Sequence, residues 1–441
     1  MKPYQRLLFL RCLSCGLLLG GIVCSAATSS SAATSPKSEL AADTGIISPL
    51  SPGAVLAGDP GTSTAWVPTR MDNDANTRKG FDHFYSLEYG KAIHDFELAQ
   101  QAHPNDPFAT NHVLAAVIFN ELYRIGALDT EAYAADNFMT KKPAEPLDPA
   151  VQTRVTQLVN QALAQEEALL EKDPNDILAI YSRGGTRALQ SSYMGMANHA
   201  WFAALRNAMA ARHDNERVLE LDPKYVDAKV VLGTHLYIIG SLSWPVRVAA
   251  SVTGLSGNKQ KGLDYLREAT GSPHQEVATD ARIVLALFLR REQKYDEALQ
   301  VVNVMQNQYP RNFLMATEYA HLLNAAGHGQ EAIAAYRKVL DGCHANSYNQ
   351  CRIEIPAYGL GEALRGQKEY AAAAQAYEIA ATTGKDPDLK QRATLAEGEM
   401  YDLLQKRDTA MEKYKAVIAE NSASNSADLA RHYLKTAYRN P

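Results

Sequence analysis

From Gly80 onward, apolar side chains recur at helical spacing and again at a longer spacing. Ala298, Val302 and Met305 mark one face of a helix that Pro310 ends, and thirty-four residues later Ala332, Tyr336 and Val339 repeat the pattern as far as His344. The helices before them agree: Leu285-Ala286 with Leu289, then Tyr319-Ala320 with Leu323. A repeat of this length holds two amphipathic helices and two short turns. Small residues belong where one helix crosses the next, because a larger side chain would hold the backbones apart. Large apolar residues fill the gaps between crossings. Proline closes the second helix, since it offers no N–H and clashes with the preceding turn.

On this template the small residue of the second helix recurs at Ala92, Ala162, Ala211, Gly262, Ala298, Ala332, Ala373 and Ala410. The first unit is well formed, with Gly80, Ala92, Phe96, Ala99 and Pro104 in register. The seventh carries Leu360-Gly361, Ala373, Tyr377 and Ala380, and the eighth carries Gly398, Tyr401, Ala410, Tyr414 and Val417. In these residues the chain resembles the tetratricopeptide-repeat family, in its exported bacterial type, over residues 73–441. The resemblance implies an all-α fold, a right-handed superhelical solenoid of about eight helix pairs with insertions. The amphipathic segment Ala427-Leu429-Ala430-Tyr433-Leu434-Ala437 is the expected C-terminal capping helix, needed because each repeat buries its face only against a neighbour.

Unequal spacing between units locates the insertions. The second unit is enlarged by the three-proline loop of residues 127–149, and a short insertion before the seventh holds Cys343 and Cys351. In the fourth unit no residue from Val230 to Pro245 carries a fixed charge, and Leu242, Trp244, Val246 and Val248 follow one another. The repeat needs this stretch only through about Ile239, and surplus loops are ordinarily polar. Two alternatives stand: Leu242 and Trp244 meet a partner, or the insertion folds back and plugs the superhelix.

The amino terminus adds a compartment. Lys2, Arg6 and Arg11, an uncharged apolar run from Cys12 to Val23, and Ser25-Ala26-Ala27 make residues 1–27 a secretory signal. Cleavage is expected after Ala26 or Ala27, giving a periplasmic or secreted chain with no membrane span after the signal. A lipid anchor at Cys24 fits less well, because the bulky Val23 precedes it, and retention as an uncleaved anchor stays open. Residues 28–72 are Ser, Thr, Ala, Pro and Gly with no apolar periodicity, and so read as a flexible tether. In an oxidising compartment Cys343 and Cys351, eight apart, are expected to close a disulfide.

Charge and motifs then remove function classes. At a formal −5 and without a basic run, the chain has little with which to neutralise phosphates, which argues against a nucleic-acid partner. The stretch from Gly254 to Lys259 lacks the Gly-Lys-Ser/Thr order of a phosphate loop. Asp72-x-Asp74-x-Asn76 opens like a calcium loop, but Thr77 replaces the turn glycine and His83 the closing glutamate; a helix N-cap suits it better. Arg183 and Arg187, spaced i,i+4, either clamp an anion or pair with nearby acids. No Gly-x-Ser-x-Gly and no His-Glu-x-x-His occurs. The expectation is a protein that is not an enzyme, with no catalytic residue, metal or cofactor.

The resemblance further implies a concave groove lined by the inner helices. Matching the family's groove positions onto units five to seven selects Ile283, Leu287 and Arg290, then Thr317, His321 and Asn324, then Tyr358, Glu362 and Arg365. Chaperone-type members hold a peptide's terminal carboxylate with Lys and Asn. Thr317 and His321 stand at those places here, so that activity does not carry over. The resulting reading is an exported scaffold that binds a protein or peptide through this groove and the apolar insertion. A second reading rests on Gly257-Asn-Lys259-Gln-Lys261-Gly-x-x-Tyr265-Leu-x-x-Ala269. This stretch is similar to repeats of the helical TatT-like proteins associated with TRAP-type transporters, and would imply a periplasmic carrier of a small apolar ligand.

Overall fold

The computed structural model describes residues 74–128, 145–242, 244, 247 and 256–439. The expected signal, the tether, most of the second-unit loop and most of the fourth-unit insertion lie outside the described residues. Among the described residues there are seventeen helices and no strand. The chain begins with α1 (Ala75–Tyr85), α2 (Tyr89–Ala102), α3 (Pro107–Arg124) and α4 (Pro149–Leu170). It continues through α5 (Ile177–Met196), α6 (Trp201–Leu221), α7 (Ala228–Ser241) and α8 (Lys259–Ala269). Next come α9 (Gln275–Arg291), α10 (Tyr295–Gln308), α11 (Phe313–Ala325) and α12 (Gly329–His344). The chain ends with α13 (Glu354–Gly366), α14 (Tyr370–Thr383), α15 (Pro387–Leu403), α16 (Arg407–Glu420) and α17 (Asn425–Lys435). The wide spacing from Ala162 to Ala211 reflects the long helices of the third unit, at 20 and 21 residues.

Local chemistry sets the helix starts. Asp74 caps α1 by accepting from Thr77 N at 2.7 Å, so the calcium-like motif supplies an N-cap. Asp106, Asp148, Asp176 and Asp386 do the same for α3, α4, α5 and α15. Each accepts a backbone N–H that the helix itself leaves unpaired.

Every helix packs on its successor, and the template positions form the seams. Ala92, Ala162, Ala211, Ala298, Ala332, Ala373 and Ala410 are completely buried, and Gly262 is buried with them. Four residues on, Phe96, Leu266, Val302, Tyr336, Tyr377 and Tyr414 are buried as well. Phe96, Tyr377 and Tyr414 each seat against a glycine of the preceding helix. A Cβ added at Gly80 would stand 2.3 Å from Phe96, one at Gly361 2.5 Å from Tyr377, and one at Gly398 2.7 Å from Tyr414. At the far end Ala427 and Ala430 of α17 are buried, and α17 covers Tyr414 and Val417 of α16.

Two units break the apolar rule. The position of Phe96 is Glu166 in the second unit and Asn215 in the third, both completely buried. Glu166 Oε1 accepts from Ser182 Oγ at 2.8 Å and from Thr186 Oγ1 at 2.7 Å. Burial pushes its carboxyl up to about 7. Beside it, Arg183 and Arg187 both pair with the buried Asp214, at 2.8 and 2.5 Å, so the acid-pairing alternative holds for these arginines.

The stack also meets itself. Tyr85, at the end of α1, donates to Asp280 Oδ1 at 2.8 Å and to the Glu276 carbonyl at 3.0 Å, both on α9. Asn312, the N-cap of α11, donates to the Tyr85 carbonyl at 2.7 Å, and Arg311 pairs with Asp82 at 2.8 Å. Ahead of α13, Asn349 donates to the Leu87 carbonyl at 3.2 Å, and Tyr123 donates to the Gln350 carbonyl at 2.5 Å. The turn between α1 and α2 thus lies across the N-terminal ends of α9, α11 and α13. The loop that carries Asn349 and Gln350 is the one closed by the expected disulfide, Cys343 to Cys351, with Cα atoms 5.6 Å apart.

Candidate functional site

Residues three and four apart share a helix face, so Asp280, Ile283, Leu287 and Arg290 form one stripe along α9. Thr317, His321 and Asn324 form the matching stripe on α11, and Tyr358, Glu362 and Arg365 that on α13. The third is positioned by two glycines. A Cβ at Gly359 would stand 2.6 Å from Tyr336, and one at Gly361 2.5 Å from Tyr377. Rings of α12 and α14 therefore seat directly on the α13 backbone and fix its rotation.

Groups one repeat apart answer one another along these stripes. The Arg365 guanidinium lies 3.0 Å from Glu399 of α15, and Arg392 lies 4.7 Å above the Tyr358 ring. Arg290 reaches Glu318 at 2.9 Å. Glu362 accepts from Tyr377 at 2.6 Å. Burial pushes the Glu399 carboxyl up to about 7, against the opposing pull of Arg365. At this end Arg365 also stacks on Tyr438, 5.3 Å from the ring centre. A hollow of about 560 Å³ opens there, lined by Arg365, Glu399, His432, Tyr433, Tyr438 and Arg439 among others.

Thr317 and His321 do not contribute to an open surface. Thr317 is buried and bonds the Phe313 carbonyl at 2.7 Å. His321 is buried with its ring 5.5 Å from Tyr336. Ile283, Leu287, Arg290, Asn324, Tyr358, Glu362 and Arg365 are half-buried, with part of each side chain open. Leu242 is half-buried and Trp244 is 70% exposed, and most of the insertion around them lies outside the described residues. Sequence reasoning missed Glu399, Arg392 and Tyr438. The first two had a signal: Arg365 with Glu399, and Tyr358 with Arg392, are complementary groups thirty-four residues apart.

A buried small residue recurs at the crossing of each helix pair from α1 to α16. The fold is of the tetratricopeptide type. No protein-family model matches the chain, and no curated protein matches it. Solved structures similar to this solenoid include the APC/C hetero-tetramer Cut9–Hcn1, at 12% identity over 84% of this chain with a TM-score of 0.46. This chain spans 57% of that one. PilF of Pseudomonas aeruginosa matches at 16% identity over 57% of this chain and 98% of its own, with a TM-score of 0.37. A tetratricopeptide repeat protein from Parabacteroides merdae matches at 14% over 73% and 97%, with a TM-score of 0.31. Nothing about partner or activity follows from likenesses this distant. Among the described residues no helix is long and apolar enough to cross a membrane.

Proposed function

We propose that this solenoid is an exported scaffold, without enzymatic activity, that holds a protein or peptide partner against its inner face. The observation that carries the reading is the row of complementary groups on successive inner helices, Tyr358 with Arg392 and Arg365 with Glu399, ending at the hollow beside Arg365. A peptide offers amides, carboxylates and apolar side chains at regular intervals. Guanidinium groups and carboxylates bond the first two, and the rings receive the third. The charged rim of the hollow, with Arg365, Glu399 and Arg439, favours such a partner over a small apolar ligand. Export rests on the charge order and apolar run of residues 1–27, and residues 28–72 then serve as a tether.

The test uses Leu287→Ser combined with Asn324→Ala, two half-open positions on neighbouring inner helices. The native chain is expected to retain one defined partner from a periplasmic extract, and the double variant to lose it while keeping its helicity. Equal capture by both proteins would place the contact elsewhere.

A further inference from the structure

The cap of the stack is complete in α17, which buries Ala427 and Ala430, yet the chain turns back beyond it. Thr436 is extended, at φ −134° and ψ 116°. Helices α13, α15 and α17 are neighbours in that order, and residues 436–439 return toward α13. The Tyr438 N–H donates to Asp402 Oδ2 of α15 at 2.7 Å. The Arg365 guanidinium of α13 lies 5.3 Å from the centre of the Tyr438 ring and donates to its hydroxyl oxygen. Within the segment only Tyr438 is buried, at 9% exposure, while Thr436 and Arg439 are exposed. One residue therefore anchors it.

Both groups that receive Tyr438 have other partners to orient them. Asp402 accepts from Arg407 at 2.9 Å and from the Tyr414 hydroxyl at 2.8 Å, and Arg365 pairs with Glu399 at 3.0 Å. For Arg392 the helix pairs themselves supply the stacking ring, Tyr358 of α13. At Arg365 the ring comes from outside the helix pairs, and residues 436–439 line the hollow beside Arg365 and Glu399. The subsite is thus built without Tyr438, and its occupant is a short non-helical stretch of peptide.

We propose that residues 436–439 are a resident ligand of the inner face, and that the Arg365–Asp402 subsite filled by Tyr438 accepts a tyrosine of an extended partner peptide in its place. The guanidinium reads the ring and the carboxylate reads the backbone N–H. A tyrosine suits the role, since it buries a large area at little cost in side-chain entropy. A tethered segment competes at an effective concentration on the order of millimolar. Partner affinity is then reduced to the fraction of molecules in which the subsite stands open. The inference rests on the inner face being a peptide surface, and adds the residue type that its end accepts and the segment that guards it.

The test uses the whole chain carrying Tyr438→Ala and a fluorescein-labelled peptide of residues 434–439, Leu-Lys-Thr-Ala-Tyr-Arg, followed by anisotropy. A segment that stays docked at such an effective concentration has an intrinsic Kd below about 1 mM. The variant is expected to bind the peptide in that range, and the native chain at least roughly tenfold more weakly. A peptide with alanine in place of the tyrosine should bind neither. Arg365→Lys added to Tyr438→Ala keeps the charge beside Glu399 but loses the planar face, and is expected to lose the peptide. Circular dichroism and amide exchange should show α17 still helical and protected in Tyr438→Ala. No binding by the variant, equal binding by the native chain, or equal binding of the alanine peptide would each overturn the proposal. Unfolding of α17 in the variant would do so too, by making Tyr438 a latch of the cap. Leu287 and Asn324 stand on α9 and α11, outside this subsite, so the partner reading and this one fail separately.

Discussion

Tyr85 and Asp280 are 195 residues apart in sequence, yet their side chains meet at 2.8 Å. The Tyr85 ring also lies 5.0 Å from that of Tyr309. One side chain thereby ties the first unit to α9 and to the end of α10. Tyr85→Phe keeps the ring contact and removes both hydrogen bonds. Asp280 is itself exposed, so water can replace the lost donor. The expected loss is therefore small, about 1 kcal/mol. Tyr85→Ala removes the ring as well and is expected to cost about 3–5 kcal/mol. Urea unfolding of the two variants checks the ranking, and equal losses would mean that the ring contributes nothing.

The Cys343–Cys351 disulfide closes a loop in which Asn349 donates to the Leu87 carbonyl and Gln350 accepts from Tyr123. Asn346 and Gln350 in that loop have positive φ, 53° and 48°, a conformation that surrounding structure must sustain. Replacing both cysteines by serine is expected to lower stability by roughly 2–3 kcal/mol on the chain-entropy model. Amide exchange should quicken in the loop and also in the turn between α1 and α2. A change confined to the loop would show that the two regions are uncoupled.

Two glycines of α13 should respond oppositely to alanine. At Gly361 the new methyl meets the Tyr377 ring at 2.5 Å, and that ring is held by Glu362. A loss of about 1–3 kcal/mol is expected, as for overpacked cores. At Gly366 a Cβ meets nothing within 4 Å, and alanine should stabilise by up to about 1 kcal/mol through helix propensity. Thermal melts of the pair decide it.

Glu166 provides a pH test. Its carboxyl stands at about 7 in the folded chain because it is buried, so the native state holds the proton more tightly than the unfolded state does. The resulting stability is fully present below the unfolded-state value and is lost as pH rises through about 7. Glu166→Gln keeps the shape and the acceptor while removing the charge. It is expected to match the native protein near pH 4 and to exceed it by on the order of 3 kcal/mol near pH 8. Parallel pH profiles of melting temperature would remove Glu166 as a titrating group.

The repeat was legible because its signal is periodic: the small residues and rings fall on the predicted seams. Glu166 and Asn215 were equally readable as breaks in that period, since each occupies the ring position of its unit. Closure was not readable. Its contacts join residues 191 to 262 apart, and Tyr, Asp and Asn side chains that meet once leave no pattern. The groove positions follow from helix spacing, but burial of Thr317 and His321 depends on the depth of neighbouring rings such as Tyr336. That depth has no counterpart in a one-dimensional template.

An open array of repeats can nucleate anywhere and frays from both ends. The docking of the α1–α2 turn on α9, α11 and α13 changes the order of events. Helix pairs can assemble locally, but the bonds from Tyr85, Leu87 and Tyr123 form only after a long stretch of chain is in place, and such distant contacts slow folding. A fast rise in helicity followed by a slower phase is the expected record in stopped-flow refolding, with the slow phase missing in Tyr85→Ala. Unfolding should then begin at one end alone, with α17 and α16 exchanging first while α1 waits for α9.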